Sequence, residues 1–512
     1  MKPEQQYLFE SAPIERYHLL SKEELITLAQ QYEKVISVIN KDNDRLRSLN
    51  HELKQMSLFV GDQLITIKNK LFGKSSERSS ARRSASSSSK DGIKKKVQLP
   101  SERYPNTPLI ERHVTLEQLP SCKCCGTEMA DSGMTEESEY LTKVPAQYYV
   151  VVQVRHKYAC RKCHGDIVTA PVLPRITPGG AYSDEMIIDV ALSKYCDLIP
   201  IERQAQMAGR EGVKGLPPQS LIEGTHQLAD FSKMAYEKLK AEMLAARVWH
   251  ADETPHRMLE GDKKCSWYLW GFSTKTTSYF ECHDTRSGDV ASELLNQSQC
   301  EYLISDVYSG YSKAVNITNQ LRKEQQLTPV KHVYCNAHAR RYFKQAAEVI
   351  PEESEFYIKK YRRIYRLENL AKKYPEHCLR IRERMRKHFE KIRDKCNHDV
   401  AGYSSKSKLG KAMLYFLKNY GEFIRFIGNA SLPIDNNPAE RLLRNPVIGR
   451  KTWYGTHSKR GAETAAILFS LVESCKLNQI NPREYFKNLV QDRHQGKDAY
   501  TPKEYKELPS KR

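Results

Sequence analysis

The chain has 512 residues, too many for one hydrophobic core, so we expect several domains. Apolar residues make up 39% and charged residues 28%, and no stretch reaches the roughly 18 consecutive apolar residues of a membrane helix, which excludes a membrane protein. The 82 Lys and Arg residues outnumber the 62 Asp and Glu residues, and the net charge of +20 favours a partner of polyanions such as DNA over a generic basic protein.

The first predicted element is a long helix within residues 1–73. Ser21 and Glu24 have the spacing of a capping box, and the pattern ends near Phe72. From Leu25 onward, ten of eleven positions spaced alternately three and four residues apart are apolar. This repeat predicts a coiled coil that makes the chain a homo-oligomer, although a helix packed on its own protein would carry the same stripe. Residues 74–100 are a basic, Ser-rich linker.

Residues 101–180 contain two Cys-x-x-Cys pairs separated by a segment rich in Val and Tyr, YLTKVPAQYYVVVQVRHKYAC, which predicts β-strands. Two such pairs place four thiolates around one Zn²⁺ ion, as in a zinc ribbon. The predicted zinc ligands are Cys122, Cys125, Cys160 and Cys163. Cys124 is an alternative to either of the first two. The other cysteines are mostly scattered singly, and no signal peptide precedes them, so we expect a protein of the reducing cytoplasm.

Residues 181–245 have a helical pattern. A helix, a Gly-rich break and a second helix beginning at Ser220 are typical of a helix-turn-helix that reads a DNA groove. Ordinary packed helices explain the same pattern equally well.

The next segment, residues 246–345, predicts a mixed sheet. The expected order is three strands, a helix, a fourth strand, a helix and a fifth strand, which is the order of an RNase H-like fold. The predicted bounds are a strand over 246–252, two strands within 265–282 broken near 273–277, a helix over 284–296, a strand ending on Asp306, and a strand in KHVYCNAH, 331–338.

Asp252 and Asp306 each end one of these apolar runs, on strands that are neighbours in such a fold. Two carboxylates a few ångströms apart repel unless a cation lies between them, and Mg²⁺ (or Mn²⁺) prefers such oxygen ligands. Two ions there would activate an attacking hydroxyl and stabilise the leaving oxygen of a phosphodiester. Glu440 is the candidate third ligand. With Asn437 as N-cap and Pro438 at the first helical position, Glu440 is equally explained as a capping residue.

The helix that carries Glu440 is also basic, which suits a helix lying against a phosphate backbone. Its candidate DNA-binding residues are Arg441, Arg444, Arg450 and Lys451. Residues 346–430 predict helices inserted between the fifth strand and this helix. The core resumes over 431–478, and 479–512 form a C-terminal tail. The predicted fold class is therefore multidomain α+β, with a coiled-coil helix, a zinc ribbon, a helical domain and an RNase H-like core containing a helical insertion.

Several motifs together resemble the transposases of the insertion sequence 66 family. They are LFGKSSERS, the paired CxxC, PGGAYSDEM…SKYCDLIPIERQ, ADET, SDVYSGY, CNAHARR, DNNPAERLLR and GRKTWYGTHSKRGAETAAILFSLVESCKLN. They occur in the family's order over nearly the whole chain. The resemblance implies a DDE-type transposase with Asp252, Asp306 and Glu440 as its triad, and small accessory proteins of the same element as partners. Cys335-x-x-His338 is similar to the C/D-x-x-H motif of other DDE transposases, or is core packing at a strand end.

The expected function is metal-dependent cleavage of insertion-sequence ends, followed by joining of the new 3′-hydroxyl to target DNA. Double-stranded DNA, both terminal repeats and target, is the expected partner. Two other functions remain open. One is a catalytically silent DNA-binding regulator, and the other is an RNase H-like nuclease or resolvase that cleaves without joining.

Overall fold

A computed structural model describes residues 21–72, 99–159, 167–259 and 266–509, with interruptions in the second range at 106, 112, 114–117, 119, 122, 130–137 and 144–146. By its internal contacts the chain forms two compact units. Unit 1 comprises Met1–Lys74, Arg155–Gln206 and Gly215–Arg512, and unit 2 comprises Ser75–Val154 and Met207–Lys214. Among the described residues, no helix is both long and apolar enough to cross a membrane.

The N-terminal helix α1 spans Lys22–Phe72, and its predicted capping box is confirmed. The amide of Ser21 donates to the Glu24 carboxylate at 2.8 Å, and the amide of Glu24 donates to the Ser21 hydroxyl at 3.3 Å. The predicted apolar stripe is largely solvent-exposed within this single chain, with Leu46 57% and Leu53 57% exposed.

The predicted strands between the two Cys-x-x-Cys pairs are mostly wrong. After the short helix α2 (Pro100–Arg103), residues 147–156 are described without regular structure, and only β1 (Lys157–Ala159) and β2 (Ile167–Thr169) pair, antiparallel. Val150 is 90% exposed. Valine and tyrosine favour strands because they pack on a pleated, half-buried surface, and the described part of the chain provides no such surface for residues 147–156.

Four helices precede the large sheet: α3 (Asp184–Tyr195), α4 (Ile201–Arg210), α5 (Pro218–Phe231) and α6 (Lys233–Leu244). Helix α5 begins two residues before the predicted start at Ser220, because Pro218 occupies its first turn, where a missing N–H costs nothing. Its buried side includes Leu221 and Leu228, and Gly224 faces Ile187 of α3.

The five-stranded sheet has the order β5-β4-β3-β6-β7. Strands β3, β4 and β5 are antiparallel neighbours, whereas β3, β6 and β7 are parallel. Helices α7 (Asp289–Asn296) and α8 (Ser309–Glu324) precede β6 and β7, so the predicted order of strands and helices is confirmed. The strands are β3 (Val248–Arg257), β4 (Ser266–Ser273), β5 (Ser278–His283), β6 (Tyr302–Ser305) and β7 (Lys331–Tyr334).

Two predicted strand ends were wrong. Strand β3 continues beyond Asp252 to Arg257, because the whole of it forms an antiparallel hairpin with β4. Strand β7 ends at Tyr334, and the following residues, beginning at Asn336, start the next helix instead.

Helix α9 (Asn336–Ala347) follows β7 and was not predicted. The helices predicted within 346–430 follow it. They are α10 (Pro351–Lys373), α11 (Cys378–Asp399), α12 (Lys408–Lys418) and α13 (Tyr420–Ile424), with 3₁₀ turns at Pro375–His377, Val400–Gly402 and Arg425–Gly428. The aromatic core of α9 and these helices includes Phe343, Phe389 and Phe416, and it continues onto β6 and β7 through Ile304 and Val333.

Four helices complete the chain: α14 (Asn437–Trp453), α15 (Lys459–Leu477), α16 (Pro482–His494) and α17 (Pro502–Glu507). Helix α15 packs on the antiparallel side of the sheet, where Ser470 and Ser474 accept main-chain amides of β5 at 2.8 and 2.9 Å. The two sets of helices therefore bury opposite ends of one sheet, and α14 lies on its central strand β3.

Candidate active site

The two predicted aspartates lie on neighbouring parallel strands. Val248 of β3 pairs with Tyr302 of β6, and this register continues to His250 and Ile304. Two residues further along, the same register sets Asp252 opposite Asp306, which directly follows the last residue of β6. Since adjacent strands are about 4.8 Å apart, both carboxylates belong to one small region of the sheet.

Glu440 is brought to the same region because the start of α14 is fastened to β3. Asn436, the N-cap of α14, donates its side-chain amide to the carbonyl of Ala251 at 2.8 Å, and its amide oxygen lies 2.8 Å from Nδ1 of His250. Its main-chain N–H donates to Sγ of Cys335 at 3.1 Å. One buried asparagine thus joins β3, α14 and the start of α9.

The other end of α14 is also fastened to β3. The amide of Thr456 donates to the carbonyl of Arg257, the last residue of β3, at 3.0 Å, and its carbonyl accepts the amide of Leu259, two residues beyond that strand, at 2.9 Å. Gly455 passes so close that a Cβ there would lie 2.1 Å from the carbonyl oxygen of Arg257, and its φ is +137°. Only glycine fits that approach and that backbone conformation.

The capping explanation for Glu440 does not hold in detail. The helix begins one residue earlier than predicted, with Asn436 rather than Asn437 as N-cap, so Glu440 is its fourth residue. The Glu440 main chain donates to the carbonyl of Asn436 at 3.2 Å, as in any helix. Its carboxylate points instead at α9, where Oε2 lies 3.5 Å from Arg341 and Oε1 lies 3.6 Å from Nδ1 of His338.

The electrostatics of Asp252 show that the three acids interact. Burial raises the pKa of Asp252 well above its usual value, and the charges of Glu253, Asp306 and Glu440 raise that pKa further. Its Oδ1 accepts the amide of Glu253 at 3.0 Å, which offsets only part of this cost. A carboxylate buried among other carboxylates is stable in its charged form only with a cation close by.

Glu253, on the opposite face of β3, ties this strand to the segment after Asp306. Its side chain is only 2% exposed, and it pairs with Arg286 at 2.5 Å. Its second oxygen accepts the hydroxyl of Tyr311, in α8, at 2.6 Å. The Arg286 guanidinium lies 4.1 Å from the centre of the Tyr308 ring. The network fixes β3 relative to the start of α8.

The three acids suit a magnesium-type ion. All their donors are carboxylate oxygens, the ligand type that Mg²⁺ and Mn²⁺ prefer. Burial first, and then repulsion from the neighbouring carboxylates, raises the pKa of Asp252, and a bound cation relieves both costs. Asp306 and Glu440 remain partly exposed, so the site is open to solvent and to substrate oxygens.

The four candidate DNA-binding residues divide into two groups. Arg441, Arg444 and Lys451 are exposed on α14 and share one face of it. Arg450 turns inward, and its Nη1 donates to the hydroxyl of Thr254 in β3 at 3.2 Å. Three of the four are thus exposed to solvent, and Arg450 instead stabilises the packing of α14 on the sheet.

The roles of His338, Arg341 and Asn436 were missed by the sequence analysis. Arg341 and Asn436 belong to quoted motifs, CNAHARR and DNNPAERLLR, but nothing in their spacing shows that α9 and α14 meet. That contact joins residues 99 positions apart and arises only when the insertion folds between them.

Three of the four predicted zinc ligands, Cys122, Cys160 and Cys163, lie outside the described residues, which include Cys125. Cys125 is exposed, and its Sγ lies 3.5 Å from the hydroxyl of Thr127. The alternative ligand, Cys124, is exposed as well.

Comparison with known proteins identifies the family. The model of the family described as "Transposase IS66 family" matches residues 179–464. The model described as "zinc-finger binding domain of transposase IS66" matches residues 120–164, and this match supports a structural zinc ion. Uncharacterized protein y4hP of Sinorhizobium fredii (strain NBRC 101917 / NGR234) is 25% identical over 408 residues, covering 74% of this chain and 72% of that protein. Uncharacterized protein y4jD of the same strain is 26% identical over 389 residues, covering 72% and 74%. Since the first match spans more than half of it, the chain belongs to the transposase IS66 family.

Proposed function

We propose that the chain is a DDE-type transposase that cleaves the ends of its insertion sequence and joins the resulting 3′-hydroxyl to target DNA. The observation that carries the proposal is the convergence of three acids from separate elements. Asp252 lies in β3, Asp306 follows β6, and Glu440 lies in α14, and the charges of the other two raise the pKa of Asp252. Family membership supports a DNA-processing role for the same residues.

The strand order supports an RNase H-like core. Three antiparallel strands followed by two parallel ones, with β3 central, set the first and fourth strands side by side and hence Asp252 beside Asp306. In this proposal residues 246–345 and 431–478 form the core, and residues 346–430 form an insertion between the second and third acids.

The three acids are all partly exposed, so each can reach a divalent ion and an incoming phosphate. Asp252, whose pKa is raised by burial and then by neighbouring charges, is proposed to supply charge at the floor of the site. Mg²⁺ or Mn²⁺ at these carboxylates would supply Lewis-acid activation of the attacking hydroxyl and stabilisation of the leaving oxygen. Glu253, paired with Arg286 and Tyr311, holds β3 in position and does not touch the reacting atoms.

Other parts of the chain are proposed to bind DNA, to join copies of the protein and to recognise the terminal repeats. Arg441, Arg444 and Lys451 line the exposed face of α14 beside Glu440 and are proposed to contact DNA phosphates. The exposed apolar stripe of α1 is proposed to form a coiled coil between copies, which would bring two DNA ends together. The zinc-finger segment and the helices of 181–245 are proposed to recognise the terminal repeats. Accessory proteins of the same element are proposed partners.

The test is a cleavage and strand-transfer assay on DNA carrying the element's ends, with Mg²⁺, comparing wild type with Asp306→Ala, Glu440→Gln and the surface control Asp498→Asn. We expect cut and joined products from wild type and the control, and losses of at least about a thousandfold in the two site variants, the scale of removing a group that stabilises transition-state charge.

Other outcomes separate the alternatives. Cleavage without joined product would identify a nuclease or resolvase. Specific DNA binding without cleavage, unchanged in Asp306→Ala, would identify a silent regulator. Metal-dependent cleavage that survives both site substitutions would overturn the assignment of the acids.

A further inference from the structure

A cluster beside the three acids has a ligand set that differs from theirs. Sγ of Cys335, a ring nitrogen of His338 and a carboxylate oxygen of Glu440 all lie within 4.8 Å of one another. Cys335 is the N-cap of α9 and His338 lies in its first turn, while Glu440 approaches from the first turn of α14. Thiolate, imidazole and carboxylate together are typical ligands of zinc, and a thiolate is not a ligand that Mg²⁺ prefers.

The separations suit a single ion. In a tetrahedral zinc site with bonds of about 2.0–2.3 Å, neighbouring ligand atoms are roughly 3.3–3.7 Å apart. Nδ1 of His338 and Oε1 of Glu440 are 3.6 Å apart, which is too long for a hydrogen bond and within that range. A shift of about 1 Å in the Cys335 or Glu440 side chain brings the sulfur to the same distance, well within a rotamer adjustment.

The facing atoms have no other partners. Nδ1 of His338 and Oε1 of Glu440 are both buried and accept or donate no hydrogen bond, although each belongs to a partly exposed side chain. Arg341 contacts the other oxygen, Oε2, at 3.5 Å and so leaves Oε1 directed at the cluster. Buried polar atoms normally find partners, and an ion between these two would provide one for both.

The surroundings of Cys335 also suit a metal-bound sulfur. The thiol is fully buried, and its Sγ accepts the main-chain N–H of Asn436 at 3.1 Å. Such N–H donors orient a ligand and stabilise the negative charge of a thiolate on a metal. A capping or packing role explains the position of this sulfur, but it does not explain why an imidazole nitrogen and a carboxylate oxygen face each other beside it.

We propose that Cys335, His338 and Glu440 bind one zinc-class divalent ion, separate from the zinc-finger site, with a fourth position open to solvent. A consequence rests on the proposed function. Because Glu440 is also a ligand of the catalytic ions there, zinc bound to the cluster withdraws that carboxylate and inhibits Mg²⁺-dependent cleavage.

The first test counts zinc in the full-length protein by mass spectrometry after gel filtration. Wild type is compared with Cys335→Ser, His338→Ala and the control Cys396→Ser, which changes a buried cysteine of α11. We expect each cluster variant to lose one equivalent of zinc relative to wild type, and the control to lose none. Equal zinc content in all four proteins overturns the proposal.

A second measurement needs no variant. Zinc X-ray absorption of wild type should show nitrogen or oxygen neighbours at about 2.0 Å in addition to sulfur at about 2.3 Å. A shell of sulfur alone corresponds to the zinc-finger site only and overturns the proposal, even where a cluster variant fails to fold.

The inhibitory consequence is tested by adding zinc to the Mg²⁺-dependent cleavage reaction, with each protein normalised to its own zinc-free rate. Loss of the sulfur ligand should raise the zinc concentration for half-inhibition by about tenfold or more. Equal sensitivity of wild type and Cys335→Ser overturns the consequence. Absence of cleavage by wild type would overturn the proposed function, while the zinc count would still decide the site.

Discussion

Asp252→Asn should stabilise the protein in the absence of divalent ions while abolishing the proposed cleavage. Burial, followed by the charges of Glu253, Asp306 and Glu440, raises the pKa of Asp252. Asparagine keeps the shape of the side chain and an oxygen that accepts the amide of Glu253, now at 3.0 Å, but it carries no charge. A buried polar group without an adequate partner costs about 1–3 kcal/mol, so removing the charge should raise the free energy of unfolding at pH 8 by an amount on the order of 1 kcal/mol.

The gain in stability of Asp252→Asn over wild type should increase with pH. A carboxyl group whose pKa is higher in the folded than in the unfolded protein favours folding when protonated. Its contribution is fully present below the unfolded pKa of about 3.9 and is lost as pH rises through the folded pKa. The stability difference between Asp252→Asn and wild type should therefore be small in acid and larger at pH 8. Added Mg²⁺ should stabilise wild type more than the variant.

Urea unfolding measures this difference, because Trp249 and Trp270 are fully buried in the same sheet and report on its unfolding by fluorescence. The buffer should contain neither Mg²⁺ nor a chelator, so that structural zinc is retained. Asp498→Asn, at an exposed position, is the matched control. An Asp252→Asn midpoint equal to or below that of wild type at pH 8 would show that the charge of Asp252 does not destabilise the folded protein.

Three further substitutions test contacts that hold α14 on β3 or pack the helices after β7, and the midpoint of urea unfolding is measured for each. Asn436→Ala strands a histidine ring nitrogen and a carbonyl of β3 and should cost roughly 2–4 kcal/mol, with slower cleavage. Gly455→Ala sets a Cβ 2.1 Å from a carbonyl oxygen of β3 and should cost about 1–3 kcal/mol, whereas Gly421→Ala, with nothing within 4 Å, should cost little. Arg382→Met leaves the buried Glu368, now 2.7 Å away, without its partner and should cost about 3–5 kcal/mol, and a second change, Glu368→Leu, should recover most of it. A midpoint within error of wild type in any of the three refutes the corresponding contact.

The sequence was sufficient for features that depend on local pattern. The order of strands and helices around Asp252 and Asp306, the capping box at Ser21 and the insertion helices were all predicted and are present. The predicted end of β3 was wrong because hydrogen-bonded pairing with β4 determines where that strand ends, and the hairpin of the two strands continues to Arg257. Strand propensity failed around Val150, whose side chain is exposed and is covered by no strand that the structure describes.

Contacts between distant segments were beyond any local pattern. Asn436 looks like turn chemistry in the sequence, yet it joins β3, α9 and α14. In the sequence, Cys335 and His338 are an isolated pair, and Glu440 joins them only because α14 is fastened across β3. A third ligand 102 positions away from His338 is visible only in the folded chain.

The acids of this basic chain are not equivalent, and the difference explains where a cation is needed. Glu253 has Arg286, and Glu440 has Arg341, so each of these carboxylates faces a fixed positive charge. Asp252 forms no ion pair within the described residues, and its Oδ1 accepts a hydrogen bond from the main-chain amide of Glu253. Burial without such a partner is costly for a charged group. Since arginines already compensate Glu253 and Glu440, the charges without an ion pair among the described residues are those of Asp252 and Asp306, where the proposed divalent ion and a DNA phosphate would meet.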